Sequence, residues 1–246
     1  MNFRTLLLSL AGAAITVGLL TKLAHAEPTS DGVHVAEPAG GSNLAVRQGT
    51  DPFLRFSLGG RVGRNSSAGY DPFSATDTTG GIELVATARL YRRGPFSLAA
   101  GLSYDASGST GSARGATTQL AASRFAAVAE GRYLLTGGFV PLVRLAPGLL
   151  GAAQSLSDGS DTLRATSTHL SLDGSVGTGI LLGSPDAKHR VRAWFVPRIG
   201  YAWSTARTPK VAIDDPNAIL GQNSGRTLPS LAFRGPYFAA EVALAF

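Results

Sequence analysis

Eight stretches of this chain alternate apolar with polar or very small residues at a period of two, and that alternation restricts the fold because successive side chains on a β-strand point to opposite faces. In the first, Leu54, Phe56, Leu58, Gly60 and Val62 interleave with Arg55, Ser57, Gly59, Arg61 and Gly63. In the second, Ile82, Leu84, Ala86, Ala88 and Leu90 oppose Glu83, Val85, Thr87, Arg89 and Tyr91. Phe96, Leu98, Ala100, Leu102 and Tyr104 then oppose Ser97, Ala99, Gly101, Ser103 and Asp105. A fourth run sets Phe125, Ala127, Ala129, Gly131, Tyr133 and Leu135 against Arg124, Val128, Glu130 and Arg132.

The fifth run sets Val143, Leu145, Pro147 and Leu149 against Leu142, Arg144, Ala146 and Gly148, and its prolines make it the weakest candidate strand. The sixth sets Leu170, Leu172, Gly174, Val176, Thr178, Ile180 and Leu182 against His169, Ser171, Asp173, Ser175, Gly177 and Gly179. Val191, Ala193, Phe195, Pro197, Ile199, Tyr201 and Trp203 oppose Arg192, Trp194, Val196, Arg198 and Gly200 in the seventh. The last run ends the chain, with Phe238, Ala240, Val242, Leu244 and Phe246 opposing Tyr237, Ala239, Glu241, Ala243 and Ala245. Each is about 10 residues, the length of a tilted strand crossing a bilayer.

Connections between the runs fall into two alternating classes. Short turns lie near Gly94, Gly137 and Pro185, and longer segments rich in Gly, Ser, Thr and Asp span 64–80, 106–118, 152–168 and 205–235. Outer-membrane barrels keep their periplasmic turns short and their extracellular loops long, with both termini on the short-turn side.

Residues 1–26 have the form of a secretory signal: Arg4, an apolar run over 6–20 broken by Ser9, Gly12 and Gly18, then Ala24-His25-Ala26 with small residues where a signal peptidase reads. Cleavage is expected before Glu27. Removal takes Arg4 and Lys22 from 22 basic residues and none of 16 acids, leaving 20 against 16, a net +4. The remaining basic residues are spaced singly, unlike the clustered patch of a nucleic-acid binder, so no nucleic-acid partner is expected. The chain has no cysteine, which excludes a lipid-anchored N-terminus. Residues 27–51 are rich in Pro, Gly, Ser and acids and read as a flexible periplasmic tail, followed by a barrel over 52–246.

Periodicity alone does not decide which face points inward, since a soluble barrel carries the same pattern with the opposite sign. The export signal, the loop asymmetry and the many Gly, Ala and Ser among the charges favour a crowded, charged lumen and an apolar exterior. Phe96, Tyr133 and Phe246 fall at the short-turn ends of the apolar faces and Tyr104, Tyr201 and Trp203 at the long-loop ends, as two interfacial girdles.

With its terminal pattern Phe238-x-Ala240-x-Val242-x-Leu244-x-Phe246, the chain resembles the small eight-stranded outer-membrane β-barrels, the superfamily that includes transmembrane barrels of the outer-membrane protein A type. The resemblance spans residues 53–246. It implies an all-β, antiparallel, up-and-down transmembrane barrel in the cell outer membrane of a Gram-negative-type envelope. It also implies contact with outer-membrane lipid and lipopolysaccharide, and recognition by the barrel-assembly machinery through the strand ending at Phe246. Family terminal signals often carry a nearby polar residue and Gly, where this strand has Glu241 and alanines.

The expected lumen face holds Arg55, Arg61, Arg89, Arg124, Arg132, Arg144, Arg192 and Arg198 against Glu83, Asp105, Glu130, Asp173 and Glu241, a set predicted to cross-pair and plug the barrel. The leading reading is a structural or surface-interaction barrel whose loops meet extracellular ligands. A narrow anion-preferring channel or small-solute transporter, porin-like in kind, is the alternative. A third reading is a lipid-modifying enzyme, because His169, Ser171 and Asp173 share one strand face and resemble the His-x-Ser pair of outer-membrane lipid A deacylases. The expectation is no enzyme activity, and no catalytic, cofactor-binding or metal-binding residues. Asp158-Gly159-Ser160-Asp161 and Asp214-Asp215 are read as turn formers, since neither segment supplies the six to eight oxygens typical of calcium. N-terminal sequencing of protein extracted from envelopes is predicted to begin at Glu27; retention of Met1 would contradict the export argument.

Overall fold

The structure is a computed structural model and describes residues 52–74, 76–113, 116–135, 138–157, 162–183, 191–213 and 230–246. The expected signal segment, the cleavage point before Glu27, the tail to residue 51 and the loop acids Asp158, Asp161, Asp214 and Asp215 lie outside them. The strands are β1 (Leu54–Arg64), β2 (Thr78–Arg93), β3 (Phe96–Ala113), β4 (Ala116–Tyr133), β5 (Phe139–Ser157), β6 (Thr162–Leu182), β7 (Arg192–Ser204), the short β8 (Lys210–Ile213) and β9 (Gly235–Ala245), with a 3-10 turn at Ala68–Phe73.

Eight of these strands form an up-and-down antiparallel ring. Each pairs with its neighbour in sequence, β7 pairs with β9, and β9 pairs with β1 to close the sheet on itself. β8 lies outside the ring and lengthens only the far part of β6, with Lys210 opposite Thr166. From Leu54 the pairing runs through Ala88, Ala100, Ala129, Leu145, Gly174, Tyr201 and Pro236. Gly63 pairs with Tyr237, so Pro236 falls opposite Arg64, ten residues along β1 from the start at Leu54. A stagger of ten over eight strands tilts them by roughly 40° and leaves an interior that side chains fill.

The face that periodicity could not assign is settled by burial. Arg55, Ser57, Glu83, Glu130, Arg144, Asp173, Arg198 and Glu241 are buried inside the ring, while Leu58, Val62, Ile82, Leu149, Val176, Ile199 and Val242 point outward and are more than half exposed. Seven of the eight runs, β5 among them, place every residue on the face that alternation assigns. Its prolines do not end it: β5 extends over 19 residues. The β4–β5 ladder lapses beside Pro147 and the β6–β7 ladder beside Pro197, each resuming in the same register, because proline withholds one N–H without shifting the chain.

Two expectations are corrected. The register between β2 and β3 shifts between Arg89 and Tyr91, so Tyr91 pairs with Leu98 and faces outward, where plain alternation had put it inside. The segments 106–118 and 152–168, read as long loops, are mostly paired strand, since β3–β4 and β5–β6 ladders continue to Ala113–Ala116 and Ser157–Thr162. Beyond Ala106 and Ala152 small and polar residues predominate on both faces, with only Leu156 and Leu163 as large apolar residues in those two segments, which erases the hydrophobic period while backbone pairing continues.

Phe246 extends the seam between β1 and β9 at the short-turn end. Phe246 N donates to Leu54 O (2.9 Å), its carbonyl accepts from Phe53 N (3.0 Å) and Leu54 N (3.2 Å), and its ring packs edge-on against Phe56. Deletion of Phe246 is predicted to lower the amount of assembled barrel in envelope fractions; unchanged levels would contradict this role.

Candidate functional site in the barrel interior

The interior is layered along the barrel axis. At the short-turn end Leu134, Val140, Leu142, Trp194 and Val196 point inward from β5, β7 and the β4–β5 turn and pack with Ala243 and Ala245 into an apolar floor. Leu142, Trp194 and Val196 were read on the inner face in sequence, but among arginines they gave no sign of forming a layer of their own.

Above the floor lies a network of buried charges. Glu130 on β4 is at its centre: it pairs with Arg55 across the barrel, accepts from Arg132 Nε at 2.6 Å, and accepts from Arg144 at 2.9 Å. Arg144 bridges onward to Glu241 at 2.9 Å, and Arg198 joins Glu241 to Glu83, the latter at 2.7 Å. Hydroxyls complete the set, with Ser57 donating to Glu241 at 2.7 Å, Arg132 donating to Thr87 at 2.8 Å and Arg198 donating to Ser175 at 3.1 Å. A second group sits nearer the long-loop end, where Asp173 holds Arg61 and Arg124 and Asp105 accepts from Arg124 Nε at 2.7 Å. The Arg61 guanidinium also stacks 3.7 Å from the Tyr237 ring centre.

Two of the long side chains, Glu241 and Arg198, lie over glycines on a neighbouring strand. A Cβ on Gly59 would lie 2.7 Å from Glu241 Cγ, and one on Gly177 would lie 2.5 Å from Arg198 Cγ. The alternation of charges with tiny residues, visible in sequence, is therefore a small-against-large packing pattern. All eight arginines and five acids expected inside are on the inner face, with Arg89 and Arg192 part-buried near the short-turn end.

The long-loop end is closed by a third, apolar layer. Tyr70 and Phe73 from the 3-10 turn and Leu231 from the segment before β9 fold inward onto Leu120, Leu150 and Ala152, with Phe233 against them. Gly69 permits this approach, since a Cβ there would sit 2.3 Å from Ser230 O. Tyr70 Oη donates to Thr78 O at 3.1 Å, and burial raises the phenol pKa above its ordinary value. These residues come from segments whose overall polarity reads as loop, so the sequence concealed the cap. Between the cap and the second charge group remains a cavity of about 60 Å3, lined in part by Arg61, Arg124, Ser171 and Asp173.

His169, Ser171 and Asp173 share the inner face as expected but do not converge as a catalytic set. His169 uses Nε2 with Ser167 Oγ (2.8 Å) and Nδ1 with Thr205 O (2.7 Å), and Asp173 is engaged by arginines. Ser171 Oγ is buried with no hydrogen-bond partner among the described residues. Among the described residues there is no group of three or more His, Asp or Glu placed to hold a metal ion.

The chain matches no family model and no curated protein. Among solved structures it is similar to the crystal structure of Neisserial surface protein A, at 13% identity and a TM-score of 0.43 over 78% of this chain and 97% of that one. That likeness is too distant to bear on function.

Removing Glu130 leaves three arginines without their shared carboxylate. Glu130→Ala is predicted to lower unfolding stability by about 3–5 kcal/mol in a urea titration of the lipid-reconstituted barrel. Arg64→Ala, which breaks an exposed 3.8 Å pair with Asp77, is predicted to change it by less than ~1 kcal/mol.

Proposed function

We propose that the chain is an integral outer-membrane β-barrel with a closed lumen, whose role is structural or surface-binding. The observation that carries this reading is the inversion of a soluble protein's surface. Charges are buried inside the ring, and an apolar belt of exposed Leu, Val, Ile, Phe and Tyr encircles the outside. A belt of that extent in water is an aggregation site, whereas in hydrocarbon it is the matching surface. Outward apolar residues run from Leu54 to Val62 on β1 and from Leu170 to Leu182 on β6, eight to twelve residue steps. At ~3.4 Å a step and a tilt of ~40° this spans roughly 20–30 Å, bracketing the ~25 Å apolar band of outer-membrane barrels.

Aromatic positions support the same reading. Phe53, Tyr91, Phe96, Tyr133, Phe139 and Phe246 project outward around the short-turn end, and Tyr201 and Trp203 project outward toward the long-loop end. The ring also pairs every strand edge within the eight-stranded sheet, which is what a bilayer demands of β-structure.

Closure of the lumen supports a structural or binding role over transport. A solute moving through must pass the apolar floor, two layers of paired charges and the apolar cap, and the intervening cavity of about 60 Å3 has room for a few waters and none for a sugar. In this reading activity lies on the long-loop end, where extracellular ligands and lipopolysaccharide meet the barrel, and assembly proceeds through the strand ending at Phe246. No catalytic role is included.

The test is permeability. Liposomes carrying the purified barrel are predicted to swell in small-sugar solutions no faster than protein-free controls, and planar bilayers to show no persistent conductance steps. Rapid sugar flux would overturn the closed lumen, and small, anion-selective steps abolished by Arg144→Ala would favour a narrow anion path.

A further inference from the structure

A second cavity, distinct from the lumen, lies at the long-loop end on the far side of the cap. The paired extensions of β4, β5 and β6 form one wall through Thr118, Gln154, Leu156, Leu163 and Ala165, and Phe73 of the 3-10 turn closes the other. Its volume is about 190 Å3, above the ~150 Å3 of an apolar cavity that accommodates benzene. The strand extensions that build it were expected to be loops, so neither the cavity nor its wall was legible in the sequence.

One polar group in this apolar wall is left over. Gln154 is 6% exposed, and its Nε2 has no hydrogen-bond partner among the described residues. The neighbouring Thr118 hydroxyl is already committed, donating to Pro72 O at 2.5 Å. A buried amide N–H without an acceptor is costly, and side chains of this kind are normally satisfied. A water placed here has few polar neighbours where it needs two to four, while an apolar body bearing an acceptor oxygen complements both the wall and the amide.

We propose that this cavity is a binding site for a small, neutral, apolar molecule carrying one carbonyl-type oxygen, which accepts a hydrogen bond from Gln154 Nε2. The size admits an aromatic ring or a short branched acyl group. Orientation comes from the single hydrogen bond, and the aliphatic and Phe73 surfaces supply non-directional affinity. The site is independent of whether the lumen conducts, because the two spaces share no lining residue.

Two nearly isosteric probes test it on the full barrel in lipid nanodiscs: acetophenone, and α-methylstyrene, in which a CH2 group replaces the carbonyl oxygen. Acetophenone is expected to shift the Gln154 side-chain amide resonances and to bind about tenfold more tightly than α-methylstyrene, the discrimination expected when a buried donor is left unpaired. In Gln154→Leu the two probes are expected to bind alike, and Ala165→Leu, which fills the space, is expected to bind neither. Equal affinity of the probes for the native protein, absence of an amide shift, or a preference that survives in Gln154→Leu would overturn the proposal. The two-probe comparison on the native protein decides the matter even if Gln154→Leu fails to fold.

Discussion

Burying a carboxylate or a guanidinium away from water costs several kcal/mol per ion unless its charge and hydrogen-bonding groups are met, and the barrel interior is arranged around meeting that cost. Glu130 accepts from arginines on β1, β4 and β5, while Glu241 joins Arg144 on β5 to Arg198 on β7. A single network thus ties opposite walls together. Such a network is poor evidence for net stability, since well-packed apolar residues of similar volume often do as well. What it does impose is register: a one-residue slip of any strand would turn its charge outward and strand its partners.

The rest of the interior follows from that geometry. Ten residues of stagger over eight strands leave a narrow lumen, and Gly59 and Gly177 yield space beside Glu241 and Arg198. Apolar layers at the two ends then separate the charged middle from water. A lower local dielectric strengthens each pair, which is the condition under which ionic contacts across a barrel are worth most. Packing, electrostatics and closure are consequently one property of this lumen.

Much of this was legible in the sequence, for a simple reason. A strand that separates hydrocarbon from a crowded polar lumen carries a strong two-residue signal, and all eight runs and all thirteen inner-face charges appear where alternation put them. The signal fails wherever the two sides stop differing. Beyond Ala106 and Ala152 both faces are mostly small or polar, so the strand extensions look like loop in the sequence. At Leu90 a bulge breaks the count and sends Tyr91 outward. The cap residues Tyr70, Phe73 and Leu231 are single apolar residues in polar segments, brought to the mouth by backbone geometry. Gln154 sits in a stretch whose role appears only once β5 is seen to continue beyond the apolar belt.

The central claim is that the apolar face of each strand meets lipid and the charged face does not. The chain has no cysteine, so single cysteines carrying a nitroxide label can be placed along β6 without interference. In reconstituted protein, labels at positions 170, 172 and 176 should be readily relaxed by oxygen dissolved in the bilayer and shielded from an aqueous nickel chelate. Labels at 171 and 175 should be reached by neither to a comparable degree, giving a two-residue oscillation along the strand. Ready relaxation by the aqueous chelate at 170, 172 and 176, or an oscillation of opposite phase, would contradict the account.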